Sequence, residues 1–172
     1  MAALIVISNK FYSTVTIFDP LFDSTEISLL EKLGFEVINE NEEGKRKISS
    51  DKTTLIYLPH CPKQLTNNFL WANWNINLKN CIIISNSFSK IIESHTEKTL
   101  QESANYINKI FKFTEEIELE NTYEIVNAFN DLSIHYFNNS ELNSSFFEGE
   151  VEEPKYLKDT EFITKELKNL LI

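Results

Sequence analysis

The side chains with the most chemical potential stand in Leu58-Pro59-His60-Cys61-Pro62, where an imidazole and a thiol are neighbours between two prolines. Proline fixes φ on each side, so the turn is rigid. A thiol beside an imidazole could supply a nucleophile and its base. Adjacent residues on an extended turn point apart, however, so structure or ligand lining is the first reading and catalysis the second. Metal ligation would need Cys81, His95 or His135 as partners, at no recognisable ligand spacing. A second pair is Asp131 and His135, which could meet as carboxylate and imidazole. The plainer reading of His135, in Ser133-Ile134-His135-Tyr136-Phe137, is a satisfied, half-buried strand residue. These residues assign no catalytic group, no metal and no cofactor.

Phe69-Leu70-Trp71-Ala72-Asn73-Trp74 carries two indoles that could stack on a base, although such residues are more often core. Asn67, Asn68, Asn73 and Asn75 suit caps and turns through side-chain bonds to backbone. Asp19 and Glu40 follow short apolar runs and could bind ribose hydroxyls, as acidic residues after strands do in methyltransferase-like sheets. The chain has only 3 Gly, unclustered. That excludes a P-loop and a G-x-G-x-x-G turn, both of which bring backbone N–H groups onto phosphate through clustered glycines. Two Cys exclude a disulfide framework and a four-thiolate metal site.

Net charge is −10 over 172 residues, and its distribution is uneven. Residues 1–112 carry 12 acidic and 12 basic side chains, whereas residues 113–172 carry 14 acidic and 4 basic. The basic residues cluster in Lys45-Arg46-Lys47 with Lys52, and the acidic ones in Glu148, Glu150, Glu152 and Glu153. Both read first as solvated loops. The sharper reading is two poles, one for phosphates and one for a basic partner. Free nucleic acid is an improbable sole ligand, since the long-range field repels it. No apolar run has the length of a membrane span, and the apolar residues 2–7 lack the basic flank of a signal peptide, so the expected compartment is the cytoplasm.

These residues need elements to position them. Residues 2–7, 15–18, 35–38, 53–58 and 81–85 read as strands, with shorter ones near Ile117 and over 133–137. Asp23 and Glu26 form a capping-box pattern for a helix that Gly34 stops. Pro62 opens a helix reaching about Trp71, a helical spacing spans 98–111, and another helix is expected over 159–171. Residues 39–51 and 138–154 read as polar loops, the latter mobile. Alternating strands and helices predict a single α/β domain with a mainly parallel sheet covered by helices on both faces, Rossmann-like without the glycine-rich loop. Residues 53–58 and 81–85 should be neighbouring central strands, because both are continuously apolar. Ligands of such sheets sit beyond the strand carboxyl ends, here marked by Asp19, Glu40, His60 and Asn86.

Several blocks together resemble the SRR-like (sensitivity to red light reduced) family. They are Phe18-Asp19-Pro20-Leu21-Phe22, Leu30-Glu31-Lys32-Leu33-Gly34, Asn39-Glu40-Asn41-Glu42-Glu43-Gly44, the His60-Cys61 turn, Leu70-Trp71-Ala72-Asn73-Trp74, Ser85-Asn86-Ser87-Phe88 and Phe129-Asn130-Asp131-Leu132-Ser133-Ile134-His135-Tyr136-Phe137. The resemblance implies an SRR-like α/β domain over 1–137, an acidic loop over 138–158 and a C-terminal helix of the same domain over 159–172. Family members carry a Tyr-Gly-x-Gly-like turn after the first strand, where this chain has Ile5-Val6-Ile7-Ser8-Asn9. The family carries no agreed catalytic residues. The short length and the abundance of Asn, Ile and Lys make the chain similar to compacted parasite members, among them a microsporidian dormancy factor that occupies the ribosome. That likeness implies a monomeric, non-catalytic hibernation factor near the tRNA exit site, which inhibits translation. Lys45, Arg46, Lys47 and Lys52 would then meet ribosomal RNA, and the glutamates would meet basic ribosomal proteins. The alternative is a small cytosolic enzyme or regulatory protein with a degenerate methyltransferase-like site at Asp19, Glu40, His60 and Asn86.

Overall fold

The computed structural model describes residues 2–11, 14–120, 129–138, 140–156 and 161–165. The chain divides into two compact units, Met1–Glu42 with Ile163–Ile172, and Glu43–Phe162.

The first unit opens with helix α1, Ala2–Phe11, where a strand is expected over residues 2–7. A short apolar run does not by itself distinguish strand from helix. Ala and Leu at its start favour helix, which closes its hydrogen bonds within the segment and needs no neighbouring strand. Strands β1, Thr16–Ile17, and β2, Glu36–Val37, pair in parallel with Ile17 opposite Val37. Helix α2, Ser24–Lys32, connects them. Its capping box forms as the sequence predicts. Asp23 Oδ1 accepts from Thr25 N–H at 2.7 Å and Glu26 N–H at 2.8 Å, while Glu26 Oε2 accepts from Asp23 N–H at 3.0 Å. Gly34, at φ +86°, ends the helix in the left-handed region. Buried Asn41 donates to Ile163 O at 2.7 Å, bringing the chain back to this unit. The helix expected over 159–171 lies almost wholly outside the described residues.

The second unit is built on four strands: β3, Thr54–Leu58; β4, Cys81–Asn86; β5, Glu115–Glu118; and β6, Leu132–Tyr136. Their order is β3-β4-β6-β5. β3 and β4 run parallel, joined by helix α3, Lys63–Ala72, but β6 is antiparallel to both β4 and β5. The sheet is therefore mixed, which corrects the expectation of a mainly parallel one. Residue apolarity reports burial, not direction; direction is set by the connections. β3 is also the terminal strand of this sheet rather than a central one, and Leu55 is exposed on it. β4 is central, with Cys81, Ile83, Ile84 and Ser85 all buried.

The expected helix over 98–111 is two helices, α5 (Glu97–Ser103) and α6 (Asn105–Ile110), preceded by α4 (Phe88–Ser94), which no clear pattern marks. The break falls at Ala104, and Asn67 Oδ1 there accepts the Tyr106 N–H at 2.8 Å. A side chain from another helix thus satisfies a donor that the broken helix leaves open. The core centres on Phe69, Leu70, Ile83, Phe88, Ile107 and Phe137. Trp74 belongs to it, with ring centroids 4.9 Å from Tyr106 and 5.4 Å from Phe147. Residues 138–154, expected as a mobile loop, include a 3₁₀ turn at Ser144–Phe147, and Leu142 and Phe147 are buried. The polar composition concealed these apolar anchors.

Candidate functional site

A polar cavity of about 530 Å³ opens at the carboxyl ends of β3 and β4. His60 reaches it from the turn after β3, Asn86 from the end of β4, Lys90 and Ile91 from α4, and Asn130 and Asp131 from the turn before β6. His60 and Asp131 adopt φ +54° and +58°, in the left-handed region that costs a side-chain-bearing residue roughly 1–2 kcal/mol. Bonds to the β4 end hold both turns: Asn86 Nδ2 donates to Cys61 O at 2.9 Å, and Ser87 N–H donates to Asp131 O at 2.8 Å. Lys90 Nζ lies 2.5 Å from Asp131 Oδ1 and 3.4 Å from Glu118 Oε1. The hydrogen bond to Asp131, then that to Glu118, holds the ammonium above its ordinary value.

The start of α4, which carries Lys90 and Ile91, is latched to the sheet. His135 is fully buried and stacks on Phe88 at 3.8 Å between ring centroids. Phe88 N–H faces His135 Nε2 at 3.3 Å and can only donate, so Nε2 accepts and Nδ1–H donates to Ile83 O at 3.2 Å. Glu116 Oε2 accepts from Ser89 N–H at 3.0 Å and Ser89 Oγ–H at 2.7 Å. The carboxylate facing His135 is therefore Glu116, 3.7 Å from Nε2. The plainer reading of His135 as a satisfied strand residue holds, although it is fully buried, and Asp131 does not pair with it, because the turn directs Asp131 outward to Lys90. Burial works to raise the Glu116 pKa, but hydrogen bonds from the Ser87 hydroxyl and from the Ser89 hydroxyl and N–H outweigh it and hold the carboxyl well below its ordinary 4.5. A depressed carboxyl stabilises the fold above its unfolded pKa and loses that contribution as pH falls toward the folded one. Urea unfolding of wild type should thus weaken below pH 4.5, and Glu116→Gln should flatten that part of the profile.

The basic loop runs along α3. Glu43 O accepts from Asn68 Nδ2 at 2.8 Å, Arg46 O accepts from Asn73 Nδ2 at 2.8 Å, and Ile48 N–H donates to Asn73 Oδ1 at 2.9 Å. This confirms the backbone-binding role expected of the asparagines. Asn80 Nδ2 donates to Ser50 O at 3.0 Å, so residues 46–52 end near the amino ends of β3 and β4. The loop's far part and the cavity are at opposite ends of the strands, roughly 15 Å of β3 apart at about 3.3 Å per residue.

The two charge poles meet rather than stand apart. Lys45 Nζ pairs with Glu43 Oε2 at 2.9 Å and Glu153 Oε1 at 2.7 Å. Burial would lower the Lys45 pKa, but Glu153 and Glu43 raise it above 10.5. Arg46, Lys47 and Lys52 are exposed, as are Glu148, Glu150, Glu152 and Glu153. The acidic segment is tied to its own unit: Tyr106 Oη donates to Glu152 O at 2.7 Å. Tyr156 Oη accepts from Asn67 Nδ2 at 2.9 Å and donates to Asn68 Oδ1 at 2.7 Å, and burial pushes its phenol up to about 12.

Of the four residues expected on one strand-end edge, the structure brings His60 and Asn86 to one cavity; Asp19 and Glu40 lie in the first unit. Lys90 escaped sequence reading, since it stands in no chemical motif, and Asn130 was legible only as part of a family block. Cys81 is buried in the sheet, where desolvation pushes its thiol up to about 12 and away from nucleophilic use. Among the described residues, no three His, Cys, Asp or Glu side chains gather as a metal site. No described helix is long and apolar enough to cross a membrane.

The SRR1 domain family matches residues 1–136, a span that includes both strand-end turns, His60-Cys61 and Asn130-Asp131. The chain is similar to an SRR1-like protein of Mus musculus, 45% identical over 95 residues, covering 55% of this chain and 38% of the relative. An SRR1-like protein of Drosophila melanogaster is 36% identical over 129 residues, covering 74% and 44%. Protein SENSITIVITY TO RED LIGHT REDUCED 1 of Arabidopsis thaliana is 32% identical over 126 residues, covering 72% and 45%. The chain spans less than half the length of each of these relatives. None of their names states an enzymatic activity. No solved structure matches. The ordered blocks, the mixed helices and strands and the family match converge on one assignment: this chain belongs to the SRR1 domain family.

Proposed function

We propose that this chain is a non-catalytic, ribosome-associated dormancy factor of the cytoplasm, which sits near the tRNA exit site and keeps the ribosome idle. The observation that carries the reading is the rigid presentation of the basic loop. Asn73 is buried, and its side chain bonds the backbone of both Arg46 and Ile48, so the loop's shape is set before any partner arrives. A chain of net charge −10 has no bulk positive field with which to bind RNA. It needs local cations on a fixed surface, and exposed Arg46, Lys47 and Lys52 supply them. Lys45 is held between Glu43 and Glu153. The acidic segment beside the loop suits basic ribosomal proteins, and its ties to Tyr106 and α3 hold it ready.

The test is co-sedimentation with ribosomes across a salt series. Replacing Arg46, Lys47 and Lys52 together by Ala should weaken binding and flatten its salt dependence by about 0.7–0.9 per lost phosphate contact. Replacing Glu148, Glu150, Glu152 and Glu153 by Gln should weaken docking without changing that slope in the same direction. If both variants pellet like wild type at every salt concentration, the reading fails.

A second reading, a small enzyme or regulatory protein with a degenerate methyltransferase-like site, is favoured by the cavity that joins His60 and Asn86 at the strand carboxyl ends. Asp19 and Glu40 belong to the other compact unit. A chain that stays in the ribosome-free fraction at all salt concentrations would favour this second reading.

A further inference from the structure

We propose that the cavity between His60, Lys90 and Asp131 is a binding site for the vicinal cis-diol of a ribonucleoside. This goes beyond the dormancy reading and does not rest on it. The cavity is separate from the basic loop and has its own construction.

Its volume, about 530 Å³, suits a small organic ligand. Its position beyond the carboxyl ends of two parallel strands is where open α/β sheets take ligands. The charges then limit what can enter. Lys90 faces Asp131 at 2.5 Å and Glu118 at 3.4 Å, so an incoming phosphate would meet two carboxylates around one ammonium. The site is therefore a poor one for anions. A hydroxyl-bearing ligand fits better, on a count of donors and acceptors.

An ammonium has three donors, and Asp131 and Glu118 take two. An ionised carboxylate has about four acceptor positions. Lys90 takes one on Asp131 Oδ1, and Asn130 Nδ2 faces Oδ2 at 3.4 Å. One donor and about two acceptors thus remain side by side. Each hydroxyl of a vicinal diol brings one O–H donor and two acceptor lone pairs, so the two O–H groups can fill the two open acceptor positions while one hydroxyl oxygen accepts the remaining Lys90 N–H. The His60 imidazole and the Ile91 side chain give a flat and an apolar surface for a base, and the Asn86 amide gives it a polar edge. Both turns that carry the key side chains hold a left-handed residue, His60 and Asp131, and both are bonded to the end of β4. The walls are thereby fixed in the absence of ligand.

The same cis-diol could belong to a free nucleoside or to the 3′ end of an RNA chain, and the test separates them. Isothermal titration of the full chain uses adenosine, 2′-deoxyadenosine, and a short RNA ending either in an intact diol or in a 3′-phosphate. Adenosine or the diol-ended RNA should bind at or below about 1 mM. The deoxynucleoside, or the 3′-phosphate RNA, should bind roughly tenfold more weakly, the cost of losing a hydrogen bond to a charged group. Asp131→Asn should weaken the diol ligand by a similar factor. Asn tolerates the left-handed backbone, so that variant should keep the wild-type melting temperature, and His60→Gly provides a second variant that keeps the turn and removes the ring. Binding of free adenosine assigns the nucleoside as sufficient; binding of the diol-ended RNA alone assigns the chain end. Binding that ignores the 2′-hydroxyl and Asp131→Asn alike, or no binding by any of these probes, overturns the proposal.

Discussion

Replacing His135 by Ala should destabilise the second unit by about 2–4 kcal/mol, the range for removing a large, hydrogen-bonded, buried side chain. His135 has no exposed surface, stacks on Phe88 and closes the first turn of α4 by accepting the Phe88 N–H at 3.3 Å. Ala would leave a void beside Phe88 and orphan that donor. It would also remove the Nδ1–H bond to Ile83 O at 3.2 Å. Urea denaturation followed by circular dichroism measures the effect as a fall in midpoint at unchanged slope. His135→Leu separates the causes, because it restores most of the volume but none of the bonds. If His135→Ala unfolds at the wild-type midpoint, the latch between β6 and α4 is energetically irrelevant and the cavity wall must be held otherwise.

The second large effect is expected at Gly44. Its φ of +78° lies in the left-handed region, and a Cβ there would stand 2.6 Å from Leu65 O. That contact is with helix backbone, which cannot swing aside. Gly44→Ala should therefore cost about 2–4 kcal/mol, from left-handed strain plus displacement of the loop from α3. Gly34→Ala is the matched control: its φ is +86°, but a Cβ there meets nothing within 4 Å. It should cost only the strain, roughly 1 kcal/mol. The larger loss expected at Gly44 reflects its close approach to Leu65 O. Because the loop continues into Arg46 and Lys47, Gly44→Ala should also weaken ribosome co-sedimentation if the proposed function is right. Equal midpoints for the two variants would show that the loop does not lie on α3 as closely as described.

The sequence by itself determined the features that depend on local chemistry. Asp23 with Glu26 predicts a capping box, and Gly34 predicts the stop of the same helix; both need only neighbouring residues to form. The apolar runs at β3 and β4 and the proline at the start of α3 mark three elements, and their parallel pairing follows from the crossover helix between them. The ordered blocks, including His60-Cys61 and Asn130-Asp131, carried the family. Tertiary structure decided what depends on partners distant in the chain. Residues 2–11 form a helix where the apolar run by itself fits a strand equally well, and the weak helix preference of Ala and Leu does not decide between them. The sheet is mixed because strand direction is set by connections, and the apolar pattern of β4 is the same beside a parallel or an antiparallel neighbour. Asn67, 39 residues before Tyr106, takes up the donor left open where what the 3.6-residue period presents as one helix breaks at Ala104. His135 meets Glu116 instead of Asp131 because strand pairing puts residues 116 and 135 opposite each other, while the left-handed turn sends Asp131 to Lys90. Lys90 joined the cavity for the same reason: a lysine at a helix start acquires a role only from the loops that folding places around it.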